Sequence, residues 1–399
     1  MKILWVKSDF LHPTTKGGHI RTLEMLRWLH RWHEVHYVAF DENGSNQEGV
    51  RRSQEYATKT YPVHWAMSEK RSARFVAEVL GNLFSSQPVH LTRPRSSALR
   101  RMLRELVERE KFDALVCDFL TPCLNLPQPE RWVLFQHNVE TMIWKRHAET
   151  AAHPLARWYY GLQAKRLERA EGWFCRNMRH VVAVSGVDAE MFRKDFGVER
   201  VSAVATGVDV EYFTPAAGAS AAPGSDLVFV GSMDWSPNED GVLWFVKEVL
   251  PLIRKQKPDC RLRIVGRAPS EAIRRLAAED ARIAVTGTVP DVRPHLWDSS
   301  VSIVPLRIGG GTRLKIYESM AARVPVVSTA IGAEGLDVAD GENIRLADRA
   351  PEFASGCVEL LTQTHTHRQM ADHAWRLVQE RFSWEQVARE FEAILLQSR

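Results

Sequence analysis

Short apolar runs alternate along the chain with longer segments in which apolar residues have helical spacing. The first two runs, residues 3–6 and 35–40, are separated by a glycine-containing turn and a stretch with apolar residues at every third position. These residues are Ile20, Leu23, Leu26 and Leu29. The order strand, turn, helix, strand predicts a βαβ unit. Continuous apolar strands are typical of parallel sheets that helices cover on both faces.

The alternation stops at one break and then restarts, which predicts two domains. Residues 214–226 are rich in alanine, glycine, proline and serine, and they predict a linker. Apolar runs occur on both sides of it, at 114–117, 132–135, 181–184, 227–231, 262–266, 283–287, 301–305 and 324–328. We therefore predict α/β domains at 1–213 and 227–382, each with a doubly wound parallel sheet. Residues 383–397 form a final helix with an apolar stripe.

Composition excludes several other classes of protein. Of 399 residues, 45% are hydrophobic and 26% are charged, which is globular composition. No run approaches ~20 apolar residues, so no membrane span is expected, and the N-terminus becomes charged too early for a signal peptide. The five cysteines form no CxxC pair, which favours a reducing compartment and predicts a cytoplasmic location.

Positive charge is concentrated in the first half. Residues 1–215 hold 31 basic and 25 acidic side chains, whereas the rest of the chain has a net charge of −2. Basic residues with nearby aromatic ones stand out at His64, Trp65, Lys70, Arg71, Arg74, Phe75, Arg93, Arg95, Arg100, Arg101 and Arg104. One interpretation is a solvated surface; the other is peripheral contact with an anionic membrane. No stacking platform is evident, so no nucleic-acid partner is predicted.

The strongest motif is the run Gly-Gly-Gly-Thr-Arg-Leu-Lys at 309–315, which follows the apolar run 301–305. Glycines let backbone N–H groups approach a ligand, and Thr312 begins a predicted helix whose N-terminus favours anions. Arg313 and Lys315 add two cations. Together these features predict a pyrophosphate site that includes Gly310 and Gly311. The alternative is a flexible loop before a surface helix with solvated charges.

Three weaker motifs also follow predicted strands. Gly17 and Gly18 permit close approach to a phosphate or sugar, although they equally suit a plain tight turn. His137 and Asn138 stand where they can orient hydroxyls or move protons, or else cap the next helix. The segment 231–238 either lines the same cleft or forms an ordinary turn and cap.

Other kinds of chemistry leave no trace in the sequence. GxGxxG, the Walker pattern, HExxH, GxSxG, a DxD triad and a metal-spaced cluster of cysteine and histidine are all absent. We therefore predict a reaction that uses neither a metal ion nor a cofactor.

The chain resembles the family-4 retaining glycosyltransferases, which have two Rossmann-like domains that face each other across a cleft (the GT-B fold). The resemblance covers nearly the whole chain. Its motifs are Val184-Ser185, Thr206-Gly207-Val208-Asp209 with Phe213 and Pro215, the stretch 288–292, Glu318-Ser319-Met320-Ala321 with Val324-Pro325-Val326, and Phe382-Ser383-Trp384. The segment 232–238 and the run at 309–315 resemble a subgroup of sugar transferases associated with bacterial exopolysaccharide and exosortase systems.

Two departures from the family pattern stand out. The family often has two glutamates separated by seven residues; here Glu318 is the second, and Gly310 occupies the first position. The Arg and Lys that usually follow the first strand of the second domain are absent from 231–241. Arg313 and Lys315 are expected to replace them.

The resemblance implies transfer of a sugar from a nucleotide diphosphate sugar to a glycan or lipid-linked acceptor, with retention. It places donor contacts at Gly17, Gly18, Gly231, Ser232, Val289, Gly310, Gly311 and Thr312. It assigns catalytic roles to His137, Arg313, Lys315 and Glu318, with Glu318 on the ribose. It places Arg21, Asn138 and Glu140 on the acceptor side, and it implies that the last helix packs back on the first domain. The alternatives are a nucleotide-sugar epimerase and a non-catalytic protein that binds nucleotide sugars.

Overall fold

A computed structural model describes residues 1–14, 17–42, 44, 46–65, 68, 72–151, 153–215, 224–308 and 313–398. The chain divides into two compact units. The first consists of Met1–Ala205 together with Val387–Arg399, and the second of Thr206–Gln386.

The first unit contains a seven-stranded sheet in which every pair of neighbours is parallel. Its strands are β1 (Lys2–Asp9), β2 (Glu34–Asp41), β3 (Lys59–His64), β4 (Ala114–Asp118), β5 (Trp132–Gln136), β6 (His180–Ala183) and β7 (Val201–Ala203). The order across the sheet is β3-β2-β1-β4-β5-β6-β7, so the winding direction reverses between β1 and β4.

Within the described residues, eight α-helices connect these strands. They are α1 (Gly17–Trp32), α2 (Gln47–Arg51), α3 (Ala73–Asn82), α4 (Val89–Thr92), α5 (Ser97–Arg109), α6 (Glu140–Thr150), α7 (Pro154–Asn177) and α8 (Gly186–Phe196). The predicted helical stripe between the first two strands is confirmed in α1, because Leu23, Leu26 and Leu29 are all buried. Fully buried strands such as β4 and β5 account for the continuous apolar runs in the sequence.

The second unit contains a six-stranded sheet, which is also parallel throughout. Its strands are β8 (Asp226–Val230), β9 (Arg261–Val265), β10 (Ile283–Gly287), β11 (Val301–Val304), β12 (Val326–Ser328) and β13 (Arg345–Leu346). The order is β10-β9-β8-β11-β12-β13, and here the winding reverses between β8 and β11. The two parallel α/β sheets confirm the predicted fold class.

The remaining helices follow in chain order. They are α9 (Val210–Phe213), α10 (Ser236–Trp244), α11 (Leu250–Gln256), α12 (Glu271–Glu279), α13 (Arg293–Trp297), α14 (Leu314–Ala321), α15 (Ala350–Thr362), α16 (Thr364–Arg381) and α17 (Trp384–Gln397). One π-helical turn, Phe245–Val249, joins α10 to α11.

Most of α17 belongs to the first unit, from Val387 onward. Phe391 lies in the core of that unit, where its ring centroid is 5.5 Å from that of Trp5 and 5.0 Å from that of Phe135. Rings at these distances contribute to stability beyond the apolar area that they bury.

The segment 206–213 is part of the second unit. The backbone N–H of Val208 donates to the carbonyl of Phe382 at 2.7 Å, and a Cβ on Gly207 would lie 2.6 Å from the Trp384 ring. Within the predicted linker 214–226, residues 216–223 lie outside the described residues, so the limits of the domains stay a prediction.

Candidate functional site

The predicted motifs follow strands at the points where the two sheets reverse direction. In the first unit, Gly17 and Gly18 come after β1 and open α1, next to the carboxyl end of β4. In the second unit, the segment 231–238 follows β8, and the residues from 305 to the start of α14 follow the neighbouring strand β11. Parallel α/β sheets bind ligands at such switch points.

Lys315 occupies a confined place in the second unit. Its ammonium donates to Oδ1 of Asn238 at 2.9 Å and lies 4.3 Å from the centre of the Phe229 ring. Burial and the neighbouring Arg313 lower the pKa of Lys315 to about 7, although Glu318 opposes the shift. The two contacts hold the cation through a neutral amide and an aromatic face.

Arg313 immediately precedes α14 and is only 6% exposed. Its guanidinium carbon lies 4.8 Å from the centre of the Trp235 ring. The alternative interpretation, in which the charges of this motif are solvated on a surface helix, is therefore wrong for Arg313. Residues 309–312, which include the predicted site residues Gly310, Gly311 and Thr312, lie outside the described residues.

Glu318 lies one turn after Lys315 on α14. Burial raises the pKa of Glu318 to about 7, and the charge of Lys315 opposes the shift. A carboxylate in this environment gains from hydrogen-bond donors such as hydroxyl groups, because they favour the charged form.

Two glycines let these strand ends approach each other closely. A Cβ on Gly231 would lie 2.6 Å from Lys315 Nζ and 2.8 Å from Asn238 Nδ2. A Cβ on Gly266, which follows β9, would overlap the carbonyl oxygen of Gly231. Gly231 therefore leaves room for the lysine head group, and Gly266 leaves room for the backbone of the 231–238 segment.

The side chains of the 231–238 segment bond one another and Arg267. Ser232 donates to Asp234 at 2.5 Å and accepts from Arg267 Nε at 2.7 Å. Asn238 Nδ2 donates to the Ser232 carbonyl at 2.7 Å. No side chain caps α10 in the described structure, so the cap in the alternative interpretation is wrong, whereas residues 233–234 do form a turn. Sequence reasoning missed Arg267, whose signal is its position directly after a strand that ends in glycine.

Val289 follows β10, which lies two strands away from β8 at the edge of the sheet. Its side chain is partly exposed. Val289 and Gly231 thus both follow the carboxyl ends of their strands, but β9 lies between those two strands.

Asp118, at the end of β4, is the centre of a buried polar cluster in the first unit. Its Oδ1 lies 3.0 Å from Lys7 Nζ and 2.8 Å from His137 Nε2. Its Oδ2 accepts hydrogen bonds from Trp5 Nε1 at 3.0 Å and from Thr22 Oγ1 at 2.7 Å. Burial alone would raise the pKa of Asp118, but the positive charge of Lys7 and the His137 ring hold it below the usual range.

His137 is a neutral imidazole between two partners. Its Nδ1 lies 3.3 Å from Arg21 Nη1, and its ring stacks on Phe119 with centroids 4.0 Å apart. Burial lowers the pKa of His137 to about 3, against the opposing effect of Asp118. With the proton on Nε2, towards Asp118, Nδ1 is the acceptor for Arg21.

Gly17 and Gly18 form the first turn of α1, and they do not form a separate tight turn. A Cβ on Gly18 would lie 2.9 Å from the Phe119 ring, whereas one on Gly17 would meet nothing within 4 Å. The N-terminus of α1 therefore lies against the ring that supports His137. Arg21, one turn later, is also buried.

Glu171 caps α6, and His137 and Asn138 do not. Its carboxylate accepts from the backbone N–H groups of Glu140 and Thr141 at 2.9 and 2.8 Å. The interpretation of His137 and Asn138 as helix caps is therefore wrong, and Asn138 is partly exposed beside the cluster. Burial, and then the charge of Glu171, raise the pKa of Glu140 to about 7.

Sequence reasoning missed Lys7 and Asp118. Each is a charged residue at or near the carboxyl end of an apolar strand, and this position is the signal that could have identified it. Lys7 and Asp118 meet because β1 and β4 are neighbouring strands, although the two residues are far apart in the sequence.

The described residues lack two further features. They contain no group of three or more His, Cys, Asp or Glu side chains arranged to hold a metal ion. Among them, no helix is both long enough and apolar enough to span a membrane.

Family models match both halves of the chain. Residues 15–212 match the model described as Glycosyltransferase Family 4, and residues 224–363 match the one described as Glycosyl transferases group 1. The chain belongs to the GT-B glycosyltransferases. Membership in this family confirms the resemblance seen in the sequence motifs.

Individual proteins are similar to this glycosyltransferase at low identity. An "Uncharacterized 44.6 kDa protein in cps region" of Klebsiella pneumoniae is 27% identical over 169 residues, which are 41% of this chain and 44% of that protein. The match thus spans less than half the length of this curated relative.

Solved structures of GT-B proteins share the fold over the full chain. Sucrose-phosphate synthase of Thermosynechococcus elongatus has a TM-score of 0.70 at 15% identity, over 100% of this chain and 99% of that one. Anabaena HepE in complex with UDP-glucose has a TM-score of 0.63 at 12% identity, over 100% of both chains. At these identities the likeness shows the fold alone.

Proposed function

We propose that this glycosyltransferase moves a hexosyl group from a nucleotide diphosphate sugar to a hydroxyl of a glycan or lipid-linked acceptor, with retention at the anomeric carbon. The observation that carries the proposal is the pair of confined cations, Arg313 and Lys315, at the switch point of the second sheet. The complex of HepE with UDP-glucose supports a donor of this class.

The donor diphosphate is held by the start of α14 and the loop before it. Arg313 and Lys315 neutralise the diphosphate as it becomes a leaving group, when its negative charge grows. Gly310, Gly311 and Thr312 add backbone N–H groups, and Gly231 and Ser232 line the adjoining strand end.

The nucleoside part of the donor extends from α14 along the sheet edge. Glu318 accepts hydrogen bonds from the ribose hydroxyls, which compensate for the burial of its carboxylate. The backbone of Val289 holds the base.

In the first unit, the start of α1 and the His137 cluster contact sugar or phosphate groups. Gly17 and Gly18 present N–H groups at a helix N-terminus, which favours anions. The Nδ1 atom of His137 accepts a hydrogen bond from Arg21. This contact orients Arg21 towards the donor sugar or the acceptor substrate. Asn138 and Glu140 complete the acceptor side.

The reaction needs no protein base in this scheme. The acceptor oxygen bonds to the anomeric carbon as the bond from that carbon to the phosphate oxygen breaks. The acceptor proton passes to the departing phosphate oxygen on the same face, which accounts for retention. Neither a metal ion nor a cofactor takes part.

We place this activity in bacterial polysaccharide or glycoconjugate synthesis in the cytoplasm, with peripheral contact at the inner face of the plasma membrane. The cps-region name of the Klebsiella relative supports the first part. The exposed arginines Arg95, Arg101 and Arg104 support the second, because anionic lipids attract such side chains.

A thermal-shift screen with UDP, GDP, ADP and TDP sugars identifies the donor, since a ligand of the native state raises its stability. Transfer is then measured for Arg313→Ala, Glu318→Ala and the control Arg275→Ala, which lies exposed on α12. We expect loss of transfer in the first two variants, while circular dichroism shows that the unliganded proteins remain folded. Near-normal turnover in both would refute the site, and conversion of the donor without an acceptor would indicate an epimerase.

A further inference from the structure

A second concave site lies on the first unit. A cavity of about 550 Å³ is lined by α7 and by residues around 86–87 and 123–129. This volume lies within the range of about 300–1,000 Å³ that is usual for sites of small ligands. None of the residues that line the cavity has a role in the transfer described above.

The cavity wall is largely apolar. Leu126, Phe174 and Cys123 are buried behind it, and Leu124 is partly buried against the same core. Trp173 is 48% exposed, although the other apolar residues of the wall are buried or partly buried. An exposed indole beside an apolar wall suits a ligand with a hydrocarbon body.

Two guanidinium groups also line this cavity. Arg166 donates to the carbonyls of Asn82 and Leu83, both at 2.8 Å, so neutral backbone atoms hold its charge. Arg169 is exposed. Within the described part of the chain, neither arginine forms an ion pair with a carboxylate. The cavity therefore combines an apolar wall with two positive charges that lack an anionic partner.

The surface near the cavity continues the apolar character. Phe84, two residues before the lining residue Ser86, is 95% exposed, and Leu80 on α3 is 55% exposed. Exposed apolar side chains beside an apolar cavity wall extend the surface that an amphiphile can contact.

We propose that the cavity binds a hydrocarbon chain that carries a phosphate group, with the chain along Trp173 and the apolar wall and the phosphate at Arg166 and Arg169. In the glycosyltransferase this ligand is the lipid end of a lipid-linked acceptor, an assignment that rests on the proposed function. The binding itself does not depend on transfer.

Calorimetric titration with geranyl phosphate, geraniol and inorganic phosphate, each without sugar donor, tests the proposal. We expect geranyl phosphate to bind the wild-type protein at least tenfold more tightly than either of the other two probes. Equal binding of inorganic phosphate would reduce the site to a simple anion site. If geraniol bound as tightly as geranyl phosphate, the arginines would have no role in binding. Either result overturns the proposal.

Three variants locate the binding. Arg169→Gln removes one charge at an exposed position, and Ala170→Leu fills the cavity from the same helix. Lys165→Gln is the matched control, because it removes an exposed charge on α7 that does not line the cavity. We expect at least tenfold weaker binding of geranyl phosphate in the first two and none of this loss in the control. Wild-type affinity in Arg169→Gln overturns the site, while sugar transfer to a soluble acceptor would still stand.

Discussion

The ammonium of Lys315 donates to Asn238 Oδ1 at 2.9 Å, across 77 residues of sequence, and brings the start of α14 against the loop after β8. The partner is an amide, so this hydrogen bond brings no negative charge to the lysine, and Glu318 offsets only part of the effect of burial. A donor diphosphate would supply the missing negative charge and would favour the protonated form of Lys315.

Affinity for the sugar nucleotide should therefore depend on pH. The pKa of Lys315 is about 7 in the free protein, so the cation is present below this pH and is lost above it. We expect the dissociation constant to rise as the pH increases from 6 to 9. A sugar nucleotide is the right probe, because its diphosphate does not titrate in this range. Lys315→Met should bind about tenfold or more weakly at pH 6 and should lose this rise in the dissociation constant.

Lys247→Met is the control for that titration, since Lys247 is an exposed lysine of the same unit. It should retain the wild-type pH profile. If Lys315→Met also kept that profile, Lys315 would not be the titrating cation.

Glu318 makes the stability of the folded protein depend on pH. Its pKa is raised from 4.5 to about 7, so between these values the folded protein binds more protons than the unfolded chain. Stability is then lost as the pH rises through this window. Glu318→Gln removes this loss. The melting temperature of the variant minus that of the wild type should therefore increase as the pH rises from 5 to 8. A constant difference between the two proteins across this range would count against the raised pKa.

The interior strands were predictable because their residues are apolar on both faces. The strands that sequence reasoning missed, β3, β7 and β13, lie at sheet edges. In β3 the apolar run is interrupted by Pro62, and Lys59 is exposed. These three strands carry too few apolar residues to be separated from loops by pattern alone, unlike the edge strand β10, which has a recognisable apolar run.

The cations of the second unit were predictable because strand, glycine run and helix start follow one another in sequence. The partners of His137 were not, since Asp118 and Arg21 reach it from other elements. Arg267 likewise reaches Ser232 only because β8 and β9 are neighbours. Contacts of this kind depend on sheet order, which the hydrophobic pattern does not specify.

The Lys7–Asp118 ion pair should be costly to break from one side. Both side chains are almost fully buried, so Asp118→Asn leaves an uncompensated cation in the core. We expect a loss of about 3–5 kcal/mol in the free energy of unfolding, as is usual for a broken buried pair. The double variant Lys7→Met with Asp118→Asn should lose less than the sum of the single variants. Denaturant unfolding measures all three, and strictly additive losses would show that the pair is not coupled.

Gly17 and Gly18 provide a matched pair of substitutions at the start of α1. In Gly18→Ala the new methyl group would lie 2.9 Å from the Phe119 ring, which is stacked on His137. We expect this contact to displace the ring, to lower the melting temperature and to reduce transfer through the His137–Arg21 contact. In Gly17→Ala the methyl group meets open space, and alanine favours a helix by up to about 1 kcal/mol over glycine, so stability should be kept or raised. Equal effects of the two substitutions on melting temperature would show that the Phe119 ring does not need Gly18.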